Sequence, residues 1–142
     1  MKKLLPITLI IIAIFGYDRF YGGAISTGDV RSPDSAPVVS YSEWRSGQQV
    51  QGKGVVIRLL SDDNEGSRHQ RFIIQLNTGQ TLLVAHNIDI APRISSLRKG
   101  DTVAFNGEYE WNEKGGVIHW THRDPQGHHV SGWIEHGGRM YK

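Results

Sequence analysis

The chain of 142 residues contains no cysteine. That absence excludes a disulfide framework, a thiolate metal site, a cysteine nucleophile and a lipid-bearing cysteine behind an export signal. Charge of one sign is also scarce. The formal net charge is +2, and Lys2, Lys3 and Arg19 against Asp18 account for it, leaving 13 basic and 13 acidic residues over 25–142. A balanced domain offers nothing to a phosphate backbone, so nucleic acid is not indicated as a partner. Several loop signatures are missing too. Gly52-Lys53-Gly54 lacks the third glycine and the helix of a dinucleotide loop, Asp62 to Gly66 lacks the alternating acids of a calcium loop, and no GxSxG occurs.

Long hydrophobic runs are absent except at the N-terminus. After Met1-Lys2-Lys3, the stretch Leu4 to Phe15 is apolar apart from Pro6 and Thr8. It is shorter than the roughly 20 residues of a bilayer-spanning helix and suits the core of a signal peptide. Gly22-Gly23-Ala24 supplies small residues for cleavage. Residues 1–24 are therefore expected to be a signal peptide or, uncleaved, an anchor holding residues 4–21 in the inner membrane. Membrane contact is expected only through that segment. The charge asymmetry places the rest outside the cytoplasm, periplasmic or secreted. Residues 25–43, with Pro33 and Pro37, read as a flexible linker, and 44–142 as one domain.

That domain has the periodicity of strands. Gln49 to Leu60, Phe72 to Leu76, Thr81 to Ala85, Thr102 to Trp111 and Val117 to Thr121 are each apolar or alternating, with turn residues between them. Trp133-Ile134 reads as a last short strand. Asp89 to Lys99, with Pro92 near its start and Gly100 after it, reads as a short helix or 3₁₀ segment. Three strands, a helical connection and two strands predict an all-β fold: a small five-stranded antiparallel barrel resembling the OB-fold, with a short helix between strands 3 and 4.

What the sequence does have is histidine. Five of its seven histidines fall between His119 and His136. Imidazole is both a common metal ligand and a common general base. His119, His122, Asp124 and His128 make a candidate set for a divalent metal, zinc or manganese. In an unbroken strand, however, His119 and His122 point to opposite faces, so the set needs the strand to end between them. Exposed or merely hydrogen-bonded histidines remain the alternative.

The hairpin adds a second candidate. A two-residue turn at Glu113-Lys114 puts Glu108 opposite His119, beside Glu110 and Thr121, on the outer face. A carboxylate beside an imidazole is the arrangement of a general base with its orienting partner, and equally that of an ordinary cross-strand pair. The same register faces Gly107 with Trp120 and Tyr109 with Ile118. Arg68, His69 and Arg71 on one loop and His86 and Asn87 on another form a candidate polar binding mouth, to which Trp120 and Trp133 add aromatic surface.

The stretches SDDNEGSRHQRF, VAHNIDIAPRI, GDTVAFNGEYEWNEKGGVIHWTH and GWIEHGG resemble an uncharacterised family of short exported bacterial proteins carrying an HWTH motif, here His119-Trp120-Thr121-His122. The resemblance spans Gly52 to Tyr141 and implies a bacterial, exported, single-domain protein. It assigns no catalytic residue. Two functions stay open: an exported binding module for a small or extended ligand, or a metal-dependent, phosphodiesterase-like hydrolase built on the HWTH region.

Overall fold

The computed structural model describes residues 43–142; the expected signal segment, and the linker up to its last residue, lie outside the described residues. Seven strands follow in order: β1 Gln48–Leu59, β2 His69–Gln75, β3 Thr81–Asn87, β4 Thr102–Glu110, β5 Val117–His119, β6 Trp133–His136 and β7 Arg139–Tyr141. The first five close on themselves in the order β1-β2-β3-β5-β4, with β4 pairing back to β1. The fold is all-β with a closed five-strand barrel.

Closure depends on β1. Its first half pairs with β4, from Gln48 opposite Tyr109 to Val55 opposite Thr102, and its second half pairs with β2. A register shift between Val56 and Arg58 lets one strand serve both neighbours. Gly52 stands directly opposite Phe105, and a Cβ there would lie 2.6 Å from Phe105 Cζ. Phe72, Ile74, Val84, Phe105, Ile118 and Ile134 fill the interior. Trp44 closes one end, its ring edge-on to Phe105 at 6.2 Å and to Tyr109 at 5.6 Å.

Two expectations need correction. The barrel is mixed, because β3 and β5 pair in parallel through Leu83–Val117 and Val84–Ile118. Parity requires this: a ring of five strands cannot alternate direction at every neighbour. The helix expected over Asp89 to Lys99 is replaced by turns. Pro92 has no N–H, and the Ile94 N–H donates not to an earlier carbonyl but to Gln70 Oε1 at 2.8 Å. The Gln70 amide returns a bond to Ile94 O at 3.0 Å, so a strand side chain pins this connection where a helix would need its own ladder.

The segment after Trp133 extends further than expected. Gly137 and Gly138 both adopt positive φ, 57° and 75°, and turn β6 back into β7. β6 lies beside β4, from Asn106 opposite Trp133 to Val103 opposite His136. β5 lies along the same edge of β4, further towards its C-terminal end. β5 and β6 are thus one strand in space, interrupted in sequence.

Substituting Gly52→Ala tests the closure. The Phe105 ring sits in a filled core and has little room to yield, so the added methyl is expected to cost ~1–3 kcal/mol, read as a lower urea midpoint. An unchanged midpoint would show that β1 and the ring relax freely.

Candidate metal centre

The interruption between β5 and β6 creates the site. Between Glu108 and Asn106 β4 advances two residues, while its partners advance from His119 to Trp133. The intervening residues, 120–132, leave the sheet and return to the same edge as a compact Ω-type loop. Trp120 makes the exit with φ 54°, the one non-glycine residue with positive φ among the described residues. Gly132 makes the return, its N–H donating to His122 O at 2.8 Å. A Cβ on Gly132 would lie 1.8 Å from Trp120 O, so only glycine fits this closure. Across the sheet, Gly107 leaves room for His119 O, which a Cβ would approach to 2.5 Å.

Within the loop, Asp124 is an internal cap. Its carboxylate accepts from the N–H groups of Gln126 at 2.9 Å and of His128 and His129 at 2.8 Å each. These donors, Gln126 first, hold its carboxyl below the usual range. The loop then lays the His129 ring flat on Trp120, centroids 4.0 Å apart and planes 11° off parallel. His122 packs against Trp120 as well, at 5.0 Å.

Beside the loop, the outer face of the β4–β5 pair gathers acceptors. Glu108 stands directly across from His119, and Tyr109 across from Ile118, as the turn length predicts. His119 Nε2 lies 3.9 Å from Glu108 Oε1 and 3.9 Å from Glu110 Oε1. Neither separation is a hydrogen bond. Nε2 is buried and has no hydrogen-bond partner. Burial also pushes the His119 pKa down, outweighing the pull of Glu108. The ring is therefore a neutral imidazole, the form that ligates metals. Donor atoms of Glu108, Glu110 and His119 all lie within 4.8 Å of one another. Gln49, paired with Glu108 across β1, adds a buried Oε1 that also has no partner. Glu108 Oε1, Glu110 and His119 thus gather lone pairs in one region, while Glu108 Oε2 lies 2.6 Å from His129 Nε2.

Residues 22–142 match the family described as Protein of unknown function (DUF3465). The chain belongs to that family. No curated protein and no solved structure matches it.

In this DUF3465 domain the residues singled out from sequence are dispersed. Among the described residues, the group that converges at ligand distance is Glu108, Glu110 and His119. His122, Asp124 and His128 are not brought to it: His122 Nδ1 donates to Arg123 O at 2.6 Å, Asp124 caps the loop, and His128 is exposed. Of the expected binding mouth, Arg68 bonds Asp89 at 2.7 Å, and Arg71 donates to Ser61 O at 2.9 Å. Asn87 accepts from the Asp89 N–H, and Trp133 sits half-buried opposite Asn106. Burial first, and then neighbouring histidines that include His69, hold the His119 and His122 pKa values down. Trp120 does not face Gly107, because the strand ends at His119 and the chain turns away. Glu110 is legible beside Glu108 in the sequence, but the stacking of His129 on Trp120 is not.

His86 is buried, with Nδ1 2.7 Å from Thr121 Oγ1 and Nε2 3.0 Å from Pro92 O. The carbonyl can only accept, so Nε2 carries the proton and the Thr121 hydroxyl donates to Nδ1. A second proton would break the Thr121 bond. Burial, ahead of all other causes, brings the His86 pKa down to about 4.

The sign of the resulting pH effect is fixed. The unfolded chain binds a proton at His86 near 6.5, and the folded chain does so only near 4. The contribution is therefore complete above about pH 6.5 and lost as pH falls towards 4, up to ~3 kcal/mol. Buried His119 and His122 are shifted in the same direction. Urea midpoints measured from pH 7.5 to 4.5 should fall steadily, and His86→Asn should flatten the slope. A level wild-type profile would contradict the assignment.

Proposed function

We propose that this protein is an exported binding module whose histidine-rich outer face holds a divalent metal ion. The carrying observation is the convergence of Glu108, Glu110 and His119 around a buried imidazole nitrogen that has no partner. Two carboxylates and a neutral imidazole suit zinc or manganese among available cations, since magnesium and calcium favour all-oxygen sets. Tetrahedral ligands 2.0–2.2 Å from zinc stand about 3.4 Å apart, so small rotamer adjustments would close the set. Export rests on the N-terminal lysines and the apolar run behind them. The OB-like reading of the barrel belongs to this proposal and rests on the strand order.

The hydrolase reading uses His119, His122, Asp124 and His128 with Glu108 as base, and the bonds of Asp124 to three backbone N–H groups argue for a structural part there. The full chain, purified without a histidine tag or chelator, should carry zinc or manganese by elemental analysis, or take up one equivalent in calorimetry. Glu108→Gln and His119→Ala should each weaken binding by about 100-fold or more. A wild-type chain that neither retains nor binds either ion would refute the proposal.

A further inference from the structure

Glu108 has two carboxylate oxygens, and they face different partners. Oε1 belongs to the cluster with Glu110 and His119. Oε2 lies 2.6 Å from His129 Nε2, at the end of the Ω-type loop. The loop residue thus reaches the same carboxylate from the other side. Its second ring nitrogen, Nδ1, stands 2.7 Å from Val130 O. That carbonyl accepts only, so Nδ1 carries a proton; the Glu108 carboxylate accepts as well, so without metal Nε2 donates to it, and a metal ion would take the place of that proton. A ring that gives one N–H to a backbone carbonyl while its other nitrogen faces the site is the usual setting of a metal-bound histidine. Trp120, stacked on the ring, fixes its plane.

We infer that His129 is the fourth protein ligand of the metal centre: the 120–132 loop carries it to Glu108, and a bound metal ion would draw it in beside Glu110 and His119. The inference rests on the metal-binding reading above and deepens it. Two carboxylates and two imidazoles form a four-donor set, which suits four-coordinate zinc better than manganese. A set with four protein donors is closed, as structural and storage sites are. A catalytic zinc keeps one position for water. The centre is therefore built to hold zinc rather than to hydrolyse a substrate, and the loop takes part in holding it because it supplies one ligand.

Zinc titration of the untagged full chain, followed by calorimetry and by the visible spectrum of the cobalt-substituted protein, tests this. His129→Ala should weaken zinc about 10–100-fold and shift the cobalt spectrum from intense tetrahedral bands towards weak, higher-coordinate ones. His129→Gln is the sharper variant. Its amide can still donate to Glu108 and lie on Trp120, so a purely structural role would be rescued, whereas a ligand role would not. His128→Ala, on the exposed neighbour, should leave zinc affinity unchanged. If His129→Ala or His129→Gln binds zinc as tightly as wild type while Glu108→Gln does not, the three-donor centre stands and the role of His129 is overturned. If the wild-type chain binds no zinc, the reading beneath it falls as well.

Discussion

The edge of β4 can be filled only once, and much of the molecule follows from how it is filled. β4 pairs with β1 from Thr102 to Tyr109 on one side, which leaves a single opposite edge. β5 takes one end of that edge and β6 the other. Unpaired backbone groups inside a sheet are costly, so the chain must resume pairing close to where it stopped. The residues between therefore have to leave and return through one narrow gap. Gly132 against the Trp120 carbonyl is that gap, and the positive φ of Trp120 is the cost of passing through it. A non-glycine residue in the left-handed region costs about 1–2 kcal/mol, which the stacked ring of His129 and the tilted ring of His122 help to offset.

The same constraint sets the electrostatics of the outer face. Because β5 ends at His119, the imidazole stands at the break, shielded by the loop rather than open to solvent. Shielding removes water from Nε2 and keeps the ring neutral. Glu108 and Glu110 are presented together because they are two apart on one strand. Neither carboxylate comes within hydrogen-bond distance of His119, so the three groups meet without satisfying one another. An ordinary cross-strand acid–histidine pair would close that distance.

Legibility in sequence followed the range of the interaction. The pairing of Glu108 with His119 could be read because turn length fixes hairpin register, and Asn112 does stabilise that turn through bonds to the Lys114 and Gly116 N–H groups. The strands could be read because Phe72-Ile73-Ile74 and Leu82-Leu83-Val84 are buried on both faces and form continuous apolar runs. The helix was misread because its breaker is distant: the Gln70 amide, on another strand, takes the Ile94 N–H. The loop was misread because the run from Val117 to Thr121 carries no glycine or proline to announce the strand end. Tryptophan at positive φ is rare enough that no propensity would suggest it.

Seen from that break, the four residues His119-Trp120-Thr121-His122 divide the work without overlap. His119 is the last paired residue and points outward to the two glutamates. Trp120 reverses the backbone and offers its ring to the loop. The reversal sends Thr121 inward, where it is fully buried and its hydroxyl meets His86. His122 then lends its carbonyl to Gly132 and so shuts the loop it opens. Alternation along a strand could not deliver this sequence of directions, because His119 and Thr121 would share a face. The left-handed residue between them is what separates an outward ligand from an inward plug.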